Sequence, residues 1–100
     1  MEEGELSETY VPDILERKYT ISIILSVKNM PGSTKSDIIK LEEGNERTKF
    51  LRIGELIDAG IIMVDDTKRQ HNAIKLYLTP LGQEVANHLE KAVEVFKKTT

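Results

Sequence analysis

The chain has 100 residues, enough for one domain and too few for a second independent core. Hydrophobic residues make up 39% and charged residues 31%, as in a globular protein and unlike a disordered or membrane-spanning one. Cysteine is absent, which excludes disulfide scaffolds, thiolate zinc sites and cysteine nucleophiles. The formal net charge of −3 argues at first against a nucleic-acid partner.

The acidity is concentrated at the N-terminal end. The first sixteen residues hold six acids and no base, so all 14 bases and 11 of the 17 acids lie in the remainder. We interpret residues 1–9 as a flexible acidic arm, and contact of this arm with a partner is the alternative. No basic segment precedes an apolar run, and no apolar run approaches the roughly 20 residues that span a bilayer. We therefore expect a cytoplasmic chain without membrane contact.

The first predicted helix covers residues 13–29. Pro12 and Asp13 are a typical helix start, and Pro31 must end the helix. The β-branched run from Ile21 to Val27 also suits a strand, but the charged lead-in and the lack of a breaker favour a helix.

Two further helices are predicted, over 34–43 and 46–59. Thr34 and Asp37 form a capping-box-like pair that opens the second helix. Asn45 can cap the third helix, and Gly60 fits a left-handed residue that terminates it.

After Gly60 the pattern changes to short β-type runs. Two strands, 61–64 and 73–78, flank a polar loop. Thr79 then caps a helix that has Pro80 in its first position and runs to residue 98. The predicted class is mainly α with a small β-ribbon (α+β), in one domain over 10–100.

Three stretches of this order resemble the winged helix-turn-helix family, in particular the small prokaryotic MarR-like and HxlR-like regulators. They are Ser-Thr-Lys-Ser-Asp-Ile-Ile at 33–39, Arg47–Ile62 with its Leu-Ile-Asp-Ala-Gly-Ile-Ile ending, and Tyr-Leu-Thr-Pro-Leu-Gly at 77–82. The resemblance spans most of the chain and implies a recognition helix at 46–59, a wing at 61–78 and a dimerisation helix at 80–98. One departure concerns Lys49, which takes a position that is commonly apolar in the family, while Phe50 is apolar here instead.

The third helix has two predicted sides at 100° per residue. Its buried stripe is predicted to consist of Phe50, Ile53, Leu56 and Ile57. The N-terminal half of the other side gathers Asn45, Arg47, Thr48 and Arg52, with Lys49 at the edge of the stripe and able to reach outward. In a recognition helix these residues would contact DNA, since arginine suits guanine and asparagine suits adenine. An ordinary solvated face is the alternative.

Two further segments are candidate DNA contacts. Lys68 and Arg69, at the tip of the predicted ribbon, suit phosphates or a narrow minor groove, although they also suit a solvated hairpin tip. Lys35 at the start of the second helix, with the Ser33 and Thr34 hydroxyls, is placed to meet a phosphate, although serine and threonine are also ordinary caps.

The last helix carries an apolar stripe longer than a small core can cover. Its members are Leu81, Val85, Leu89, Val93 and Phe96. We expect a two-fold homodimer formed by this helix and the first, with two recognition helices about one DNA turn apart. Packing of the stripe on the domain's own first helix is the alternative.

No catalytic pattern is present. His71 and His88 lack metal-ligand spacing, and no nucleophile elbow, phosphate loop or paired carboxylates occur. We expect no enzyme activity, cofactor or metal. The predicted function is sequence-specific binding of double-stranded DNA as a transcriptional regulator. The alternatives are a winged-helix protein-interaction module and, less favoured, a regulator with a small-molecule effector pocket.

Overall fold

The structure, a computed structural model, describes residues 9–65 and 74–99 as helices joined to a small antiparallel ribbon. The elements are a 3-10 turn at Asp13–Glu16, α1 (Thr20–Asn29), α2 (Lys35–Ile39), α3 (Glu46–Asp58), β1 (Ile62–Asp65), β2 (Lys75–Leu78) and α4 (Pro80–Thr99). This order confirms the predicted mainly α fold with one β-ribbon. The predicted acidic arm lies outside the described residues apart from Thr9, and so does most of the polar loop between the strands.

The first helix differs from its predicted bounds. A continuous helix over 13–29 is wrong, because the chain leaves the 3-10 turn and reaches Tyr19 in the left-handed region, at a φ of 72°. A residue in that conformation cannot continue a right-handed helix, so α1 begins only at Thr20. The Thr20 hydroxyl donates to the Ile14 carbonyl at 2.6 Å and fastens the turn to the start of α1. The strand alternative for Ile21–Val27 is also wrong, since these residues are helical.

The predicted caps of the next two helices are confirmed. The Thr34 hydroxyl accepts from Asp37 N–H, and the Asp37 carboxylate accepts from Thr34 N–H, which completes a capping box. The Asn45 side chain accepts from Thr48 N–H at 2.9 Å. However, α2 ends at Ile39 instead of residue 43, and the Ile39 carbonyl accepts a hydrogen bond from the ammonium of Lys49 on α3.

A tight junction links α3, β1 and α4. Gly60, at a φ of +80°, ends α3, with Gly60 N–H bonded to Ile57 and Ile61 N–H bonded to the Leu56 carbonyl. The Thr79 hydroxyl donates to the Gly60 carbonyl at 2.5 Å and accepts from Gly82 N–H at 2.9 Å. The cap predicted at Thr79 is therefore confirmed, and the same residue ties the start of α4 to the end of α3.

The core lies between α1, α2, α3, the ribbon and α4. Its buried apolar residues are Ile23, Ile24, Val27, Ile38, Ile39, Ile53, Leu56, Ile61, Ile62, Leu76 and Ala86. The ribbon pairs Ile62 with Leu78 and Asp65 with Lys75. The loop before α2 joins it, since Leu76 N–H donates to the Ser33 carbonyl at 2.8 Å. Within residues 9–65 and 74–99, no helix has both the length and the apolar character to cross a membrane.

Candidate nucleic-acid interface

The N-terminus of α3 is held by Tyr19, which belongs to the segment before α1. The Tyr19 hydroxyl accepts a hydrogen bond from Asn45 N–H at 3.0 Å. Asn45 uses its own side-chain oxygen as the cap of α3. Asn45, the last residue of the turn before α3, is thus held by two hydrogen bonds, one from its N–H to Tyr19 and one from Thr48 N–H to its side chain. Sequence reasoning did not identify Tyr19 as part of this site.

Lys49 is a buried brace between α3 and the α2–α3 turn. Its side chain is only 2% exposed, and its ammonium donates to the Ile39 carbonyl at 3.1 Å and to the Glu42 carbonyl. The same ammonium lies 5.3 Å from the centre of the Tyr19 ring, within the range of a cation–π interaction. The prediction that Lys49 reaches outward is therefore wrong, because backbone carbonyls inside the turn satisfy its charge.

Arg52 braces α3 on the side of α1. It is 7% exposed, donates from Nε to the Lys18 carbonyl at 2.8 Å and pairs with Glu55. The predicted solvent-facing position of Arg52 is therefore wrong. As with Lys49, acceptors inside the protein satisfy its charge, here a backbone carbonyl and a carboxylate. Glu55 also accepts from Arg17 at 3.4 Å.

Arg17 connects this brace to the 3-10 turn. Its guanidinium donates to the Asp13 carboxylate at 2.6 Å on the exposed surface. This hydrogen bond, with the charges of Asp13 and Glu55, raises the pKa of Arg17 above its ordinary value. Arg17 thus links the 3-10 turn to α3 through the two carboxylates that it contacts, Asp13 and Glu55.

The two braces decide which side of α3 faces outward. Residues 49, 52, 53 and 56 are the buried ones, so the predicted burial of Phe50 is wrong: its side chain is 47% exposed. Ile57 is half-buried and packs against the core. The outward arc of about 100° instead carries Arg47, Phe50, Leu51, Gly54 and Asp58. Two charged residues, Lys49 and Arg52, thus lie inward, while two large apolar residues, Phe50 and Leu51, lie outward.

The structure separates the predicted contact residues into different environments. Arg47 is exposed on the outward arc of α3, and Thr48 is half-buried beside it. Asn45 is exposed, but its side-chain oxygen caps the helix. Lys35 is half-buried at the start of α2.

The two hydroxyl candidates make local bonds. The Ser33 hydroxyl donates to the Met30 carbonyl at 2.7 Å, and the Thr34 hydroxyl serves in the capping box. Lys68 and Arg69 lie outside the described residues, as does His71. Of the ten predicted contacts, Arg47 is the exposed cation on the outward arc of α3.

Acids and bases are almost balanced over residues 35–47, which include α2, the turn and the first residues of α3. The bases are Lys35, Lys40 and Arg47, and the acids are Asp37, Glu42, Glu43 and Glu46. Opposite charges this close together reduce the attraction of a polyanion. The surface therefore depends on individual side chains more than on a basic field.

The predicted stripe of α4 divides into two parts. Val85 and Leu89 are half-buried against the domain's own core, and α4 is bridged to α1 by Lys28 and Glu90 at 3.2 Å. Leu81 and Phe96 are exposed in the protomer, and Val93 is half-buried. Intramolecular packing thus accounts for the middle of the stripe. The last fully buried residue of the helix is Ala86, Val93 is the last half-buried one, and residues 94–99 are all exposed.

An apolar cleft of about 290 Å³ lies between the 3-10 turn, α3 and α4. Ile14, Leu56 and Val85 are among its walls, and every lining residue is apolar. A small-molecule site normally adds a few polar groups that orient the ligand, and this lining supplies none. Among the described residues there is also no cluster of His, Asp or Glu that could hold a metal, and His88 is exposed on α4.

Comparison of structures finds similar chains among transcriptional regulators. A possible HxlR family transcriptional factor from Thermoplasma volcanium GSS1 has a TM-score of 0.78 and 23% identity, over 94% of this chain and 85% of that one. The transcriptional regulator SlyA has a TM-score of 0.75 and 17% identity, over 82% and 58%. Streptococcus pneumoniae FabT, crystallised in complex with DNA, has a TM-score of 0.72 and 16% identity, over 82% and 57%.

The fold is a winged helix. In this chain the ribbon of β1 and β2 lies between α3 and the long helix α4 in the order of elements. The chain spans 85% of the Thermoplasma protein but less than two thirds of SlyA and FabT. No family model and no curated protein matches it.

Proposed function

We propose that this winged-helix chain is a transcriptional regulator that binds double-stranded DNA. In this proposal α3 enters the major groove and the wing contacts the backbone or the minor groove. The observation that carries it is the outward arc of α3, where Arg47 stands exposed on a helix braced from behind by Lys49 and Arg52. A rigid helix with a free guanidinium fork is the arrangement that reads base edges.

The similar structures support this proposal in general terms. Three of them are named as transcriptional factors or regulators or are crystallised with DNA. Lys68 and Arg69, in the loop between the strands, remain the proposed phosphate contacts of the wing. Since acids offset bases over residues 35–47, we expect a modest affinity for DNA. This affinity should depend strongly on salt because each phosphate contact releases counterions.

The general test is binding to a pool of random duplexes across a salt series. If phosphates are contacted, the logarithm of the binding constant falls linearly with the logarithm of salt, by roughly 0.9 for each phosphate neutralised. Fluorescence anisotropy between about 50 and 200 mM salt covers the range where this effect is large. Absence of binding at the lowest salt would contradict the proposed function.

Arg47→Ala is expected to weaken binding to a selected duplex by roughly 1–3 kcal/mol and to relax the preference at one base pair. The reason is the loss of a guanidinium that can donate two hydrogen bonds to guanine. Lys91→Ala is the matched control, because it removes an exposed cation from α4. Equal affinity of Arg47→Ala and the unmodified chain, for the selected site and for unrelated sites, would contradict the assignment.

We also propose a two-fold homodimer through α4. Of the predicted interface (Leu81, Val85, Leu89, Val93 and Phe96), Val85 and Leu89 pack on the domain's own core, so the proposed contact falls mainly on Leu81, Val93 and Phe96. Residues 94–99 add about 9 Å of fully exposed helix beyond Val93, and Phe96 is exposed there in the protomer. A two-fold axis near this end would present two copies of α3 to one face of DNA.

Sedimentation at micromolar concentration is expected to give the mass of a dimer. Phe96→Glu should shift the chain toward monomer because it places a charge in an apolar interface. Lys98→Glu provides the control, since it puts the same charge on another side of the helix end. A monomeric mass for the unmodified chain would rule out the dimer.

A second candidate function is a protein-interaction module. Two observations favour it: large apolar side chains on the outward arc of α3, and the acids of the α2–α3 turn, which oppose a polyanion. Fold alone does not separate the two functions, but the salt series does, since an interaction module would show no binding to duplexes.

A further inference from the structure

The outward arc of α3 has an unusual polarity. Phe50 is 47% exposed and Leu51 is 61% exposed, although Lys49 and Arg52 of the same helix are buried. Exposed apolar side chains next to one another commonly mark a contact surface. Arg47 also faces outward, three residues before Phe50 and four before Leu51. Gly54 lies on the same arc, and a Cβ added there would meet no other atom within 4 Å.

The major groove contains one strongly apolar group. This group is the C5-methyl of thymine, and apolar side chains contact it, while arginine binds the O6 and N7 acceptors of guanine. The outward arc of α3 offers a match to both, because Arg47, Phe50 and Leu51 follow one another along the same side.

The spacing on the helix agrees with neighbouring base pairs. Side chains three or four residues apart have Cβ atoms about 5–6 Å from each other. Successive base pairs rise by about 3.4 Å, so an apolar group at this distance from Arg47 meets a base one or two steps away from its guanine.

We propose that Phe50 and Leu51 determine specificity by contacting thymine methyl groups one or two base pairs from a guanine bound by Arg47. The inference rests on the proposed function, DNA binding through α3. It adds the chemical class of the recognised sequence, a guanine flanked by thymine. It also assigns a role to Leu51 and to Phe50, which helix periodicity had placed in the core.

Replacement of thymine by uracil tests this directly, because uracil keeps every base-pairing group and lacks only the methyl. A duplex is first selected from a random pool by the unmodified chain, and each thymine is then replaced singly. At one or two positions next to a guanine, uracil is expected to weaken binding about fourfold, the value of one buried methyl-sized group. In Phe50→Ala or Leu51→Ala this difference between thymine and uracil should disappear at the corresponding position.

Val95→Ala is the matched control, since Val95 is also 61% exposed but lies on α4. It should keep the full effect of uracil. Circular dichroism verifies that each variant is folded, and the two α3 variants test the proposal independently of each other.

The outcomes separate this inference from the proposed function. If the unmodified chain binds duplexes with a salt dependence but no uracil replacement changes its affinity, DNA binding stands and the thymine contact is overturned. Retention of the thymine preference in both α3 variants overturns it as well. If no duplex is bound at low salt, the proposed function fails first, and the apolar arc is then assigned to a protein partner.

Discussion

Gly82→Ala is expected to lower the free energy of unfolding by about 3 kcal/mol, a large part of the stability of a domain of this size. Gly82 is buried in the first turn of α4, and a Cβ there would lie 3.0 Å from the Ile61 carbonyl carbon and well inside contact with its oxygen. The Ile61 oxygen already accepts from Thr79 N–H at 3.0 Å. Alanine therefore has to push α4 away from the junction or break that bond.

Thermal or urea unfolding of Gly82→Ala and Gly54→Ala gives the comparison. Both substitutions add one methyl group to a glycine inside a helix, but Gly54 has open space around its Cβ position. Gly54→Ala should raise stability by about 0.5–1 kcal/mol, as expected for alanine in place of a helical glycine. If Gly82→Ala unfolded at the same midpoint as the unmodified chain, α4 would have accommodated the added methyl group without loss of stability. That result would contradict the prediction.

Arg52→Ala is expected to lower the free energy of unfolding by about 3 kcal/mol. The buried guanidinium is bonded to the Lys18 carbonyl at 2.8 Å and to Glu55, and its removal leaves the carbonyl without this donor and a space behind α3. Glu55 retains Arg17 as a partner at 3.4 Å, so its charge is not stranded. If Arg52 were an exposed base reader, as sequence reasoning indicated, stability would hardly change.

Arg47→Ala and Arg52→Met are the controls for this result. Arg47 is exposed on the same helix, so its replacement should change stability by less than about 0.5 kcal/mol. Arg52→Met retains most of the buried side-chain volume, so any loss that persists in it comes from hydrogen bonds and charge. Stability of Arg52→Ala equal to that of Arg47→Ala would contradict the role of Arg52 as a brace.

Local capping chemistry explains why much of the fold could be predicted from the sequence. The Thr34–Asp37 box, the Asn45 cap, the left-handed Gly60 and the Thr79 cap each depend on neighbours within a few residues. Such signals can be recognised in the sequence without knowledge of the tertiary contacts. These signals marked the starts and ends of the helices, and the ribbon was predicted from the two short β-type runs after Gly60.

The errors arose where a distant contact overrides the local pattern. Tyr19 takes a positive φ in a segment that looks helical, and its hydroxyl meets Asn45, 26 residues further on. The predicted rotation of α3 put Arg52 on the solvent side and Lys49 at the edge of the stripe, but the partners of both are mainly backbone carbonyls inside the protein. Carbonyl groups are present at every residue, so no sequence signal marks which of them will accept a buried cation.

The departure at Lys49 was visible as a charged residue at a commonly apolar position. That signal could have predicted the opposite rotation of α3, with Lys49 inward and Phe50 outward. Periodicity alone favoured Phe50 as the buried residue because it weighs side chains only by polarity. The exposure of Phe50 was missed for this reason.

The burial of Lys49 and Arg52 separates the residues that hold α3 from those that it presents. In the part of the chain that the structure describes, the side chains of Arg47, Phe50 and Leu51 take no part in the bonds that brace or cap the helix, and all three are exposed. Their side chains can therefore be exchanged without altering the braces, the cap or the junction at Gly60. Libraries randomised at these three positions should yield folded chains with different binding preferences from a single unchanged scaffold.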